Sequence, residues 1–267
     1  MKLRPIAGIV LRQVYLMRGS PVRLFPMVTW VAIDIVLWGF ITRYLNQADG
    51  GRVDFVPALL GGVLLWDFCT RIMQGVTTAF LEDVWSRNFL NLFASPLSIS
   101  EYVCGLVITS VLTSSLGLAV MLALATGVFG LEFFAMGLSL VAYLAILFVF
   151  GITLGVFGSA VVLRLGPASE WLLWPLPAVL APFAAVFYPL STLPVWMQWV
   201  SHALPPAYVF EGMRSLLAGQ PFPASTLLEG GVLAGVLLLI AAWFYGRVYR
   251  HAVRTGLLAR YSAESAS

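Results

Sequence analysis

Charge is scarce in this chain. Only 10% of its 267 residues are Asp, Glu, Lys or Arg, against about 25% in an ordinary soluble domain. Lysine is nearly absent, Lys2 being the one instance. A Walker A loop needs lysine within G-x-x-x-x-G-K-[ST] to reach the phosphates of a nucleotide. Such a loop is therefore impossible here, and any ATP that drives this protein must be bound by another chain. No G-x-S-x-G, H-E-x-x-H or C-x-x-C occurs, which removes the usual nucleophile-elbow, zinc-hydrolase and redox signatures. The only histidines, His202 and His251, fall on opposite expected faces, so they cannot share a metal or a catalytic base. Cys69 and Cys104 lie in or beside apolar segments. They read as small packing residues, with no disulfide. The expectation is a chain that is not itself an enzyme and holds no cofactor or metal.

What is present is apolar sequence in long runs. Hydrophobic residues make up 60% of the chain, and the mean hydropathy is +0.94. The runs fall at 24–45, 55–80, 102–128, 134–163, 171–191 and 225–246. Each reaches the ~20 residues that carry a helix across a ~30 Å hydrocarbon layer. Because lipid cannot hydrogen-bond the backbone, such runs must be helical. The predicted fold is all-α and integral to a membrane, with six spans in one transmembrane domain covering 1–267.

Basic residues mark the two ends. Lys2, Arg4, Arg12, Arg18 and Arg23 precede the first run with no acid among them. Arg247, Arg250, Arg254 and Arg260 follow the last run against Glu264. Arg52, Arg214 and Arg43 are the only basic candidates for the other face. Cytoplasmic segments accumulate Lys and Arg, so both termini are expected inside, as six spans require. The first run starts too late and runs too long for the apolar region of a cleavable signal peptide. Within 1–23, Leu3, Ile6, Val10, Val14 and Met17 recur at helical spacing with Arg4, Arg12 and Arg18 off the stripe. This predicts an interfacial helix with its arginines toward anionic lipid.

The connections differ in kind. Residues 46–54, with Gly50-Gly51, make a short polar outer loop. Residues 81–100 are longer: Phe89, Leu92 and Phe93 share one helical face, and Ser95-Pro96 then breaks the helix. Ser98 and Glu101 fit a capping box that opens the third span. Residues 129–132 read as a tight outer turn and 164–170 as a short inner one. The fifth run carries Pro175, Pro177, Pro182 and Pro189, so it is expected to be kinked or broken. Residues 192–224 are aromatic and amphipathic, and Pro205-Pro206 divides them into two short helices. They read as an outer re-entrant hairpin. A seventh span there would put the basic tail of 247–267 outside.

Three ionisable groups lie inside the spans. Asp34 is near the middle of the first, and Asp67 and Arg71 stand i,i+4 on the second, where they can pair. Charge at mid-bilayer is costly and normally faces protein or water. A polar substrate path or proton relay is one reading; an ion pair that fixes helix packing is the other. Gly151-x-x-x-Gly155, with Gly158 and Ser159, and Gly231-x-x-x-Gly235 supply small faces for close helix approach.

Three features occur in one order: a basic interfacial helix, a short inner helix between spans two and three, and an aromatic outer hairpin before the last span. The local sequences are Glu82 to Glu101, centred on Arg87-Asn88-Phe89-Leu90-Asn91-Leu92-Phe93-Ala94-Ser95-Pro96-Leu97-Ser98, and Leu204-Pro205-Pro206-Ala207-Tyr208-Val209-Phe210-Glu211-Gly212-Met213-Arg214. In this the chain resembles the ABC-2 family of ABC transporter permeases, over essentially its whole length. The family often has Gly-Thr where this chain has Arg87-Asn88. The resemblance implies a permease of an ATP-driven exporter in the bacterial cytoplasmic (inner) membrane. Two copies of a separate ATPase subunit would bind ATP and Mg, and a second permease, identical or paralogous, would complete a dimer. It implies ATPase coupling through Glu82, Asp83, Arg87, Phe89, Leu92 and Phe93. The substrate pathway would include Asp34, Asp67 and Arg71, with an outer gate at Trp196, Trp199, Tyr208, Glu211 and Arg214. The substrate would be amphipathic, lipid-linked, polysaccharide or drug-like. Two other classes remain open on the residues alone: a stand-alone secondary transporter using Asp34, Asp67 and Arg71, and a non-transporting membrane scaffold.

Overall fold

A helix satisfies its own backbone N–H and C=O groups, as a lipid environment demands, and every regular element among the described residues is helical. The computed structural model describes residues 3–19, 21–48, 56–86, 88, 91–92, 95–130, 137–220 and 224–256. Nine α-helices are described: α1 (Leu3–Arg18), α2 (Pro21–Ala48), α3 (Gly61–Trp85), α4 (Ile99–Phe129), α5 (Leu138–Leu165), α6 (Leu176–Phe183), α7 (Val195–His202), α8 (Pro205–Leu217) and α9 (Ala224–Thr255). A π-helical turn, Val56–Leu60, leads into α3.

Among the described residues, three helices are long and apolar enough to cross a membrane: α4 over 31 residues, α5 over 27 from Ser139, and α9 over 32. Helices α2 and α3 also exceed the ~20 residues a span needs, at 28 and 25 residues. The second of these carries Asp67, Arg71 and Gln74, which lower its hydropathy. The fifth apolar run, 171–191, is not one helix. It holds the end of a 3₁₀ turn, Pro167–Leu172, then the eight residues of α6, about 12 Å of helix. Pro182 lacks the N–H that would continue the ladder, and α6 ends one residue later. The chain then turns through Ala185 at φ 53°, a left-handed conformation unusual for a side chain. Ala184, Ala185 and Val186 at this break are fully buried. A Cβ on Gly62 would lie 2.9 Å from the Val186 carbonyl oxygen, so only glycine lets α3 approach the broken segment.

The core divides along the bundle. One cluster joins Leu60, Leu64, Trp66, Ala125, Tyr143, Val186, Phe210 and Leu227. The other joins Ile9, Phe80, Leu81, Tyr102, Leu163, Tyr245, Val248 and Ala252. The beginning of the chain, the α3–α4 connection and the end of α9 therefore share one end of the bundle, and α8 sits at the other. Helix α3 runs between them with 16 of its 25 residues buried. Gly151 and Gly155 of α5 lie against it: a Cβ on Gly151 would come 2.7 Å from the Cys69 carbonyl, and one on Gly155 2.7 Å from the Val76 Cβ. The small face expected on α5 is thus a contact face. On α9 the outcome differs. A Cβ on Gly235 would meet open space and one on Gly231 only an Ile146 atom at 3.9 Å, whereas one on Gly230 would come 2.9 Å from the Tyr208 Cβ.

Helix α1 also departs from expectation. The buried positions are Ile6, Ile9 and Gln13, while Leu3 is 84% exposed and Val14 lies largely open. The helix turns one edge onto α4, where Ile9 packs over Gly105, and keeps Leu3, Leu11, Val14 and Tyr15 outward. Such an apolar outer face suits the lipid interface.

Candidate functional site

A cleft of about 700 Å³ opens between α1, α2, α3 and α4, with Trp174 at its edge. Its floor follows from helical periodicity. Asp67, Thr70, Arg71, Gln74, Thr78 and Glu82 all line it from α3, at the three- and four-residue spacing that puts side chains on one face. Helix α4 contributes Thr109, Ser110, Thr113 and Ser114. Helix α2 adds Trp30 and Asp34, again one turn apart, and α1 adds Gln13 and Met17. Gly75 lets the α3 backbone approach the Ser110 side chain closely.

Within the cleft, Arg71 Nε donates to Asp67 Oδ2 at 2.6 Å, realising the i,i+4 pair. The Arg71 stem passes over Gly117, whose Cβ position is 3.6 Å from the Arg71 Cδ. Asp34 joins the pair in the same cavity, so the three intramembrane charges read from the sequence are brought together. Three of the α4 hydroxyls are already committed as donors. Thr109 Oγ1 bonds the Gly105 carbonyl at 2.9 Å, Ser110 Oγ the Ile72 carbonyl at 2.8 Å, and Thr113 Oγ1 the Thr109 and Ser110 carbonyls at 3.1 Å. Their oxygens still accept.

The sequence reading singled out Asp67 and Arg71 and missed the rest of the stripe. The signal was present: Thr70, Gln74, Thr78 and Glu82 recur at i,i+4 within an apolar run, and four hydroxyl residues cluster at 109–114. Gln13 was also missed. It is 3% exposed, lines the cleft, and its Nε2 has no hydrogen-bond partner among the described residues.

Of the residues expected to couple to an ATPase, Arg87, Phe89 and Phe93 lie outside the described residues. Glu82 lines the cleft, and Leu92 packs against the core cluster at this end. Asp83 is fully buried and faces the interior of the bundle. Tyr102 Oη donates to Asp83 Oδ2 at 2.8 Å, Arg12 Nη1 donates to the same oxygen at 3.2 Å, and Arg12 Nη2 donates to Oδ1. The carboxylate raises the Arg12 guanidinium above its ordinary value, chiefly through this hydrogen bond. Asp83 thus ties α1, α3 and α4 into one node. Beside it the capping box forms as read from the sequence: Glu101 N–H donates to Ser98 Oγ at 3.3 Å, and Ser98 N–H to Glu101 Oε2 at 3.1 Å.

At the opposite end the expected gate residues separate into two groups. Trp196 and Trp199 are 59% and 73% exposed. Glu211 and Arg214 instead fasten the broken segment. Glu211 Oε1 accepts from the Leu190 N–H at 2.7 Å and from Arg214 Nη2 at 2.8 Å, and Arg214 Nη2 also reaches the Ala185 carbonyl at 2.8 Å. Tyr208 Oη donates to the His202 carbonyl at 2.9 Å, joining the two short helices that Pro205-Pro206 divides.

Compared with known proteins, residues 9–218 match a family model described as ABC-2 type transporter. No curated protein matches the chain.

Proposed function

The chain belongs to the ABC-2 type transporter family, and from that premise we propose that it is the permease of an ATP-driven exporter. It would act in the cytoplasmic (inner) membrane of a bacterium with both termini cytoplasmic, its helices arranged as six spans. The 171–191 segment would enter from the outer side as a broken span. A second permease copy or paralogue would complete a dimer, and two ATPase subunits would bind ATP and Mg. The permease itself would catalyse nothing. With Lys2 as the only lysine, no Walker A site can form in this chain. The cargo class is amphipathic, lipid-linked, polysaccharide or drug-like.

The observation that carries the reading, beyond the family, is the position of α3. One helix presents the polar stripe of the cleft and ends in the Asp83 node. A push delivered at 81–100 would move α3 as a rigid body and carry α1 and α4 with it through Arg12 and Tyr102. Packed helices answer small displacements in this discrete way. Gating would then reach Asp34, Asp67 and Arg71 without a flexible intermediary. Trp196 and Trp199 would stand at the exit, with Glu211 and Arg214 holding the broken segment beneath them.

The test is co-expression and co-purification of the chain with a candidate ABC ATPase subunit, followed by ATP hydrolysis in lipid nanodiscs. A stable complex is expected, and Arg87→Ala or Phe89→Ala should leave insertion intact while docking is lost. If these variants assemble and transport normally, the coupling assignment of 81–94 is wrong. If the wild-type chain captures no ATPase, the second reading takes over: a secondary transporter built on the three charges that share the cleft.

A further inference from the structure

Helices α5 and α9 run in the same direction, toward the end of the bundle that holds the Asp83 node. Their first halves share one core cluster, through Leu140 and Tyr143 with Leu227 and Ala234. Their last turns share the other, through Leu163 with Val248 and Ala252. Phe157 stacks on Phe244 with ring centroids 5.5 Å apart. Two helical turns further along each helix, an advance of about 10 Å, stand Arg164 and His251. The matched advance brings both to one pocket of about 350 Å³, lined by Arg164, Trp243, Phe244, Arg247, Val248 and His251. Trp243, Arg247 and His251 follow one another at i,i+4 and so share a face of α9.

No carboxylate lines this pocket. Among the described residues, neither Arg164 nor Arg247 enters an ion pair. Arg247 lies over the Trp243 ring instead, its Cζ 5.6 Å from the centroid. Arg164 is in the last turn of α5, where the helix dipole favours a cation. The dipole gives no reason for Arg247 and His251 to gather around it. Cations drawn to one pocket from two helices repel one another, and an anion between them reverses the sign. Arg164, Arg247 and His251 are all exposed, so an anion can reach them. The approach to the pocket is apolar and also open, because Phe157, Ile240 and Trp243 are exposed. Ile240 stands three residues before Trp243, on the same face of α9. An indole at the headgroup level, cations beyond it and an apolar wall behind it match the layers of a phospholipid. A free phosphate would use the cations and leave the apolar wall without a role.

We propose that this pocket binds the phosphate of an anionic phospholipid from the leaflet at this end of the bundle. Arg164 and Arg247 hold the phosphate oxygens, as guanidinium groups do with paired N–H donors. His251 donates to one of the same oxygens, and the acyl chains run along Ile240 and Phe157. A headgroup amine would face two arginines, which disfavours zwitterionic lipids. The pocket shares no lining residue with the cleft. The proposal needs only that the chain lies in a membrane and is independent of the permease reading.

The experiment is native mass spectrometry of the full-length chain released from detergent micelles. The protein is titrated with phosphatidylglycerol or with phosphatidylcholine of the same acyl chains, and the first lipid adduct is followed. Phosphatidylglycerol should bind at least about tenfold more tightly. Arg164→Gln combined with Arg247→Gln should weaken it by about thirtyfold, the loss of two basic contacts of the usual size. Arg250→Gln combined with Arg254→Gln removes the same charge from exposed positions of α9 outside the pocket and should leave the first adduct unchanged. Equal binding of the two lipids by the wild type overturns the proposal, whatever the variants do. So does an Arg164→Gln, Arg247→Gln protein, monodisperse like the wild type, that binds phosphatidylglycerol unchanged. Equal loss in the two double variants would mean a diffuse basic surface and not a pocket. Displacement of the lipid by excess glycerol phosphate would mean that the site takes a free anion, and would overturn the lipid assignment. Capture of an ATPase has no bearing on these outcomes, so this proposal and the permease reading fail separately.

Discussion

At the scale of single residues, neighbours in sequence have opposite fates. Glu82 and Asp83 look equivalent as letters, yet one helical step of 100° turns the first into the cleft and the second into the core. A carboxylate with no exposed surface survives only when its charge is matched and its oxygens are bonded. Arg12 and Tyr102 do both. The guanidinium is raised by the pairing, so its own titration leaves the contact in place below the ordinary arginine value and removes it as pH rises through the raised one. Removing one partner of such a pair strands the other. Arg12→Ala should therefore destabilise the protein by about 3 kcal/mol or more. It would be seen as a lower thermal midpoint in nanodiscs and as faster proteolysis within α1. An unchanged midpoint would show that the node does not hold α1. Arg12 read as a lipid-facing cation and Tyr102 drew no reading, because they lie 71 and 19 residues from Asp83 and no local pattern links them to it.

At the scale of elements, periodicity read well and contact partners did not. The small faces on α5 and α9 are alike in spelling. Only the first is pressed against a neighbour, with α3 atoms 2.7 Å from the Cβ positions of Gly151 and Gly155. Overpacking a tight contact costs about 1–3 kcal/mol, while a side chain added in open space costs little. Gly151→Leu should lower the thermal midpoint and Gly235→Leu should leave it near the wild-type value. The reverse order would mean that α9, not α5, makes the close approach. The four prolines of 171–191 announced an interruption. What they could not announce is that the break is buried, stapled by Glu211 and Arg214, and reached by the α3 backbone at Gly62.

At the scale of the whole molecule, one polar cleft runs beside helices whose outer faces are apolar. Ile108, Leu112 and Leu116 of α4 are exposed, while Thr109 and Thr113 of the same helix line the cleft. In a membrane these faces meet hydrocarbon and water respectively, and a thiol reacts as its thiolate. In a background with Cys69 and Cys104 replaced by alanine, Thr78→Cys or Thr113→Cys should label with a water-soluble maleimide. Leu112→Cys should label at least about tenfold more slowly, since a charged thiolate is costly in hydrocarbon. Equal rates would mean that the cleft is closed to water or that α4 is turned the other way.

The sequence by itself determined the apolar solvent, the helical backbone and the interruption within 171–191. Those properties depend on composition and on spacings of three to four residues, which short-range sequence carries in full. The periodicity of the α3 stripe was spelled there too, although only Asp67 and Arg71 were read from it. Tertiary structure alone decided that Asp34, on another helix, joins Asp67 and Arg71. It decided that Gln13 is buried beside them with an unpaired donor, and that Asp83 is buried in a node with Arg12 and Tyr102. It also turned α1 onto Ile6, Ile9 and Gln13 in place of its most apolar stripe. Each of these depends on which helices become neighbours and at what rotation. That choice is made by glycine contacts and buried charge pairs between segments far apart in the chain.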